Sequence, residues 1–220
     1  MIDTNKIVLI TPDRNDRPEF LEHCKQQMKG QTVQGPLHLV VNYDPVPGVI
    51  DLVPRVMEGL DVARKMGYEY AFIIENDDYY PQDYIERMIP LFQAADMIGI
   101  DRTIYYSIQY RSYKVLPHPG RSSLFCTGFR IGVLDRFRWP PKSTLYFDIP
   151  LWKHQCSKAF ASMENMPVGI KHGKGFCPAN FHNGVVNGRP MKKMTDDRSL
   201  MWLRRNVTEE SFSFYKSLMK

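Results

Sequence analysis

Cysteine is scarce and scattered in this 220-residue chain: Cys24, Cys126, Cys156 and Cys177 lie far apart and form no C-x-x-C pair. That spacing counts against a disulfide framework and against a zinc site, and points to reduced, packed thiols. No apolar run approaches the roughly 20 residues that a bilayer-spanning helix needs. The N-terminal stretch holds four consecutive apolar residues, Ile7 to Ile10, and then charges, so no secretory leader is expected. The expected compartment is the cytoplasm, where the sequon Asn206-Val207-Thr208 carries no weight. Internal repeats and low-complexity tracts are also missing. There is no long basic block either; the nearest are Lys192-Lys193 and Arg204-Arg205. The net charge of +5 permits an anionic partner without demanding one.

What is present is the composition of a folded domain, 43% hydrophobic and 24% charged, long enough to bury a core without staples. The first half alternates strand and helix patterns. Lys6–Thr11 is a short apolar run that suits a buried parallel strand. Pro18 then opens a helical pattern in Phe20, Leu21, Cys24 and Met28, closed by Gly30. Leu37–Asn42 reads as a second strand, Leu52–Lys65 as a helix and Tyr70–Glu75 as a third strand. Pro81–Ala94 supports a further helix and Met97–Ile100 a short strand. This order implies right-handed crossovers and a doubly wound, mostly parallel α/β sheet. The second half is less regular. Thr103–Val115, with four tyrosines, suggests an antiparallel hairpin. Short helices are expected at Leu134–Phe137 and Leu151–Phe160, a strand at Met166–Lys171, a loop from His172 to Pro190, and two helical pieces in Asp196–Leu218.

The most informative residues are Glu75-Asn76-Asp77-Asp78, which follow directly on the third apolar strand. Ligands of open parallel sheets bind outside the carboxyl ends of strands. Carboxylates crowded there repel one another, and a divalent cation relieves the repulsion. Oxygen-rich ligand sets of this size suit Mg²⁺ or Mn²⁺, completed by substrate phosphates. A simpler reading stays open at this point: Asp78 as the N-cap of the helix begun near Pro81.

Four segments carry a resemblance to a known family. These are Thr11–Thr32 (TPDRNDRPEFLEHCKQQMKGQT), Glu75–Pro81 (ENDDYYP), Cys126-Thr127-Gly128-Phe129-Arg130 with Leu134-Asp135-Arg136-Phe137, and Phe147–Trp152 (FDIPLW). In order and spacing they resemble the inverting family-two nucleotide-sugar transferases of A-type glycosyltransferase fold, over about residues 6–175. Glu75 stands where that family's Asp-x-Asp motif has its first aspartate, and Asp148 is a single acid where a pair is common. The Gln-x-x-Arg-Trp signature of processive synthases is absent, so a processive enzyme is not expected.

The resemblance implies a single domain over 1–220, with a nucleotide-sugar half (1–101), an acceptor and catalytic half (102–190) that includes a small antiparallel region, and a helical tail (191–220). It implies a metal-dependent hexosyltransferase using Mn²⁺ or Mg²⁺. Asp77, Asp78 and His172 are the expected metal ligands, with His182 as the rival histidine. Asp148 is the expected general base. Thr11, Pro12, Asp13, Arg14, Asp44, Glu75, Asp77 and Lys174 are the expected contacts to the nucleotide, with Arg17 a further candidate for phosphate. The implied donor is a UDP-sugar, UDP-glucose first.

The acceptor is less constrained. Tyr105, Tyr106, Tyr110, Arg111, Tyr113, Lys114, His118 and Arg121 mix aromatic and basic groups, a pattern that serves stacked bases and phosphates as well as packing. A saccharide or glycolipid and a hydroxymethylated base in DNA, as in some viral enzymes, are the two acceptors considered. A nucleotidyltransferase would want a glycine-rich first loop, which TPDRNDRP is not. A non-catalytic nucleotide-sugar-binding module is the remaining alternative.

Overall fold

The computed structural model describes residues 2–162, 164–173, 185–186, 189–190 and 194–219. Its first half alternates β1 (Ile7–Asp13), α1 (Pro18–Lys29), β2 (Leu37–Asn42), α2 (Leu52–Lys65), β3 (Tyr70–Ile73), α3 (Tyr84–Met88) and β4 (Met97–Gly99). A hairpin of β5 (Arg102–Ser107) and β6 (Ser112–Pro117) follows, then β7 (Gly128–Arg130), α4 (Asp148–Trp152), β8 (Lys158–Phe160) and β9 (Val168–Lys171). The chain continues through β10 (Val185–Val186), β11 (Arg189–Pro190), β12 (Thr195–Asp196), α5 (Met201–Asn206) and α6 (Glu209–Ser217).

The main sheet has the order β2-β1-β3-β7-β4-β8. The β1–β2, β1–β3 and β4–β8 pairs are parallel, whereas β7 runs antiparallel to both β3 and β4. Ile7 to Ile10 are buried on both faces of β1, as a central parallel strand requires. One face packs under α1 and α3 through Cys24, Met28, Tyr84 and Met88. The other packs under α2 and α4 through Val53, Val56, Leu60 and Trp152. Gly59 lets α2 lie close to β1, because a Cβ there would meet Ile10 Cγ2 at 2.6 Å.

The second sheet, β12-β6-β5-β9, is mixed rather than antiparallel, since β9 lies parallel to β5. Its apolar face is covered by α5 and α6. Tyr79 pairs with Val168 in an isolated bridge, which stitches the acidic loop of the first sheet to the second.

Several expected elements are revised. The helix read over Pro81–Ala94 is a short α3 followed by a 3₁₀ turn at Ile89–Gln93, because Pro90 lacks the amide that an α-helix would use. Leu151–Phe160 is not a helix: α4 stops at Trp152, and Lys158–Phe160 adds to β4 as an edge strand. β3 ends at Ile73, although Ile74 still donates to the Ile10 carbonyl at 2.9 Å. Within the expected 172–190 loop, β10 and β11 pair antiparallel. Lys174 and His182 lie outside the described residues.

Candidate active site

The carboxyl ends of β1, β2 and β3 lie side by side, and β9 approaches them from the second sheet. The turn after β3 is shaped from α1. Gln27 accepts from the Tyr80 amide at 2.8 Å and donates to the Asp78 carbonyl at 3.1 Å. The Tyr80 hydroxyl in turn accepts from the Glu75 amide at 2.8 Å. Consecutive acids on such a tight turn point in different directions.

Asp77 points into the cleft. Its Oδ2 lies 2.8 Å from His172 Nε2 and accepts from Arg17 Nη1 at 2.9 Å, and Arg17 Nη1 lies 2.8 Å from the same histidine nitrogen. Burial works against ionisation of Asp77, but the His172 hydrogen bond and the Arg17 charge overcome it and hold the carboxyl below its ordinary range. Asp78, expected beside it on the cation, faces away. Its Oδ1 accepts from the Ile170 amide of β9 at 2.7 Å, and its Oδ2 is buried. Burial, then the Asp77 charge, pushes Asp78 well above the carboxylate range. Nor does Asp78 cap a helix, since α3 starts only at Tyr84. Glu75 is pushed up to about 7, first by burial and then by Asp77.

Two cations answer these acids. Arg17 is one, and Lys171, the last residue of β9, is the other. Burial opposes the Lys171 charge, but Asp78, Tyr105, Asp77 and Glu75 outweigh it and raise its pKa. Lys171 escaped notice in the sequence, although a lysine ending an apolar strand at a ligand-binding edge is a readable signal.

The β1 end is more structural than expected. Thr11 is fully buried and its hydroxyl lies 2.8 Å from His38 Nε2. Asp13 is buried too, accepting from the Asn76 amide on one oxygen and from the Asn15 backbone amide at 2.9 Å on the other. Arg14 donates to Asp51 at 3.1 Å and to the Val49 carbonyl at 3.1 Å, and so braces the loop after β2. Pro12 is half-buried in register with Val41, and Asp44 is exposed at the lip, accepting from Asn15 Nδ2 at 2.8 Å. Arg55, which no sequence signal marked, is buried over the Tyr43 ring at 3.6 Å. It donates to Asp51 at 2.7 Å, to the Tyr43 carbonyl at 2.9 Å and to the Asp13 carbonyl.

Asp148 begins α4 and is ion-paired to Arg121 Nη1. Burial raises its pKa, with Arg121 opposing. Its charge also acts on Glu75, so the two carboxyls lie within electrostatic reach of one another. The aromatic and basic segment 105–121 is partly internal, with Tyr110 exposed. Tyr105, Tyr106, Lys114 and His118 are buried, and Tyr113 stacks on Trp202 with ring centroids 4.2 Å apart.

Among the described residues, no group of three or more His, Cys, Asp or Glu side chains is arranged to hold a metal ion alone. Asp77 and His172 nevertheless converge on one point, and the Arg17 nitrogen already stands there as a cation. One carboxylate oxygen and one imidazole nitrogen suit Mg²⁺ or Mn²⁺ where phosphate oxygens and water complete the shell. The residues present therefore fit such an ion at the pair Asp77–His172.

No protein-family model matches the sequence, and no curated protein matches it. Likeness comes from solved structures. IspDF of Campylobacter jejuni, a bifunctional protein, superposes with a TM-score of 0.44 at 10% identity, over 72% of this chain and 50% of that one. Residues 1–349 of TarS from S. aureus superpose with a TM-score of 0.51 at 10% identity. That match covers 74% of this chain, which spans 60% of the TarS structure's length. TarS is a family-two glycosyltransferase, and the chain shares its A-type glycosyltransferase fold.

Proposed function

We propose that the chain transfers a hexosyl group, with inversion, from a UDP-sugar to an acceptor hydroxyl. The observation that carries this reading is the meeting of Asp77 and His172 at the strand ends, with the carboxyl of Asp148 within electrostatic reach of Glu75. Departure of a diphosphate builds negative charge, and a Mg²⁺ or Mn²⁺ ion held by Asp77 and His172 would supply Lewis-acid stabilisation there. Lys171 adds fixed positive charge from beneath. The exposed Asp44 and the half-buried Pro12 flank the place of the uridine.

On the other side, Asp148 takes the proton from the acceptor hydroxyl as that oxygen bonds to the anomeric carbon and the bond to the diphosphate breaks. Burial makes Asp148 a stronger base, and Arg121 fixes its orientation. UDP-glucose is the first donor to test. A saccharide or glycolipid is the favoured acceptor, because the tyrosines that would have stacked on nucleic-acid bases are mostly packed internally.

A ligand that binds only the folded state raises the melting temperature by mass action. UDP-sugars with Mn²⁺ should do so here, and product analysis with saccharide and with hydroxymethylated DNA acceptors then assigns the reaction. If no nucleotide sugar shifts the melting temperature, the reading is wrong. Transfer to DNA, sensitive to salt, would keep the enzyme and replace the acceptor.

A further inference from the structure

Arg17 stands in an unusual place for a phosphate-binding arginine. Its backbone opens α1, with the carbonyl accepting from Phe20 at 3.1 Å and Leu21 at 3.3 Å. Its guanidinium lies 5.5 Å over the Phe20 ring. Nη1 touches Asp77 at 2.9 Å and His172 at 2.8 Å, while Nη2 reaches Asn76 Oδ1 at 3.4 Å. These contacts use the same carboxylate oxygen and the same imidazole nitrogen that suit a divalent ion. An ion about 2.1 Å from both atoms, entering from that side, would fall within the volume of Nη1. Arginine and metal therefore compete for one position.

We propose that Arg17 is the resident counter-ion of this site and is exchanged for the divalent ion when the donor diphosphate arrives. The inference rests on the donor-site reading above and adds an order of events to it. Without nucleotide, Arg17 neutralises Asp77 and holds His172 in place, so the metal binds weakly. The diphosphate offers the guanidinium a bidentate partner of higher charge. Asp16, already 3.4 Å from Arg17 Nε, offers a second partner on the outer side. Arg17 then turns to the phosphates, and the ion takes Asp77 and His172. Nucleotide and metal should consequently enhance each other's binding, by the same factor in both directions.

The test is the free-Mn²⁺ paramagnetic resonance signal, titrated with the full chain in the presence and absence of UDP. Arg17→Met keeps the aliphatic stem over Phe20 and removes the cation, and Arg17→Gln serves if the first variant does not fold. Mn²⁺ alone should bind the variant at least tenfold more tightly than the parent, and the UDP–Mn²⁺ coupling factor should shrink. Equal Mn²⁺ affinity of parent and variant without UDP, or an unchanged coupling factor, overturns the exchange. UDP that binds neither protein, with or without Mn²⁺, contradicts the donor-site reading instead, and the comparison with Mn²⁺ alone still decides the role of Arg17.

Discussion

His172 Nε2 lies 2.8 Å from Asp77 Oδ2, although 95 positions separate them in the chain. β9 brings the histidine there, because Tyr79 pairs with Val168 and places the strand end over the acidic turn. The pair closes one corner of the cleft, and its loss should be felt in metal-dependent binding. His172→Ala should weaken Mn²⁺-dependent UDP binding by at least about tenfold, the size of effect seen even for outer-shell changes. His182→Ala should leave it near parental. Calorimetry on both variants checks this, and a larger loss at His182 would transfer the ligand role.

Asp78 should behave differently from its neighbour. Asp78→Ala leaves the buried Ile170 amide unpaired, which costs about 1–3 kcal/mol. For a chain of this size that lowers the melting temperature by roughly 3–9 °C. Asp78→Asn keeps an acceptor for Ile170 and mimics the neutral carboxyl that burial and the Asp77 charge favour, so it should be at least as stable as the parent. Both variants should still bind UDP with Mn²⁺ below their melting temperatures. Thermal denaturation and calorimetry together check the assignment.

The proton acceptor is tested by Asp148→Asn, which keeps shape but cannot take a proton at neutral pH. Turnover should fall by about 10² or more while UDP affinity holds. The partner Arg121 gives a second test. It lowers the Asp148 pKa against the effect of burial, so Arg121→Gln raises that pKa. The acidic limb of kcat/KM should then move to higher pH. An unmoved limb would show that another group takes the proton.

Three buried histidines contribute to the loss of stability in acid. Burial, the first cause in each case, pushes His23, His38 and His118 down to about 4; Lys25 adds to it for His38 and Arg121 for His118. The folded chain therefore refuses protons that the unfolded chain accepts near pH 6.5. Their contribution is fully present above pH 6.5 and is lost as pH falls from 6.5 towards 4, by up to roughly 3 kcal/mol each. Urea unfolding at pH 7 and pH 5 should show the loss. His38→Gln, which retains a partner for Thr11, should flatten part of the slope.

Much of the first half was legible because its signals are local. The apolar runs of β1 and β2 and the apolar face of α2 recover those elements nearly to the residue, and Pro18 marks the start of α1. What local pattern could not show was decided by partners far along the chain. Lys158–Phe160 is a strand only because β4 offers it an edge. The Thr11 and Asp13 side chains turn inward because His38 and Asn76 wait there. Adjacent carboxylates look alike in sequence, yet the Ile170 amide claims Asp78 and leaves Asp77 to the cleft.

The most direct test of the account is a calorimetric titration of the parent chain and of Asp77→Asn with UDP, each with Mn²⁺ and with a chelator. If Asp77 and His172 hold the ion that receives the diphosphate, the parent binds UDP with Mn²⁺ at least about tenfold more tightly than without it. Asp77→Asn should lose that difference, and its own melting curve fixes a titration temperature at which it is folded, since Arg17 loses its partner. UDP binding that is identical in all four titrations, or absent from all of them, would contradict a metal-assisted nucleotide-sugar site at the ends of these strands.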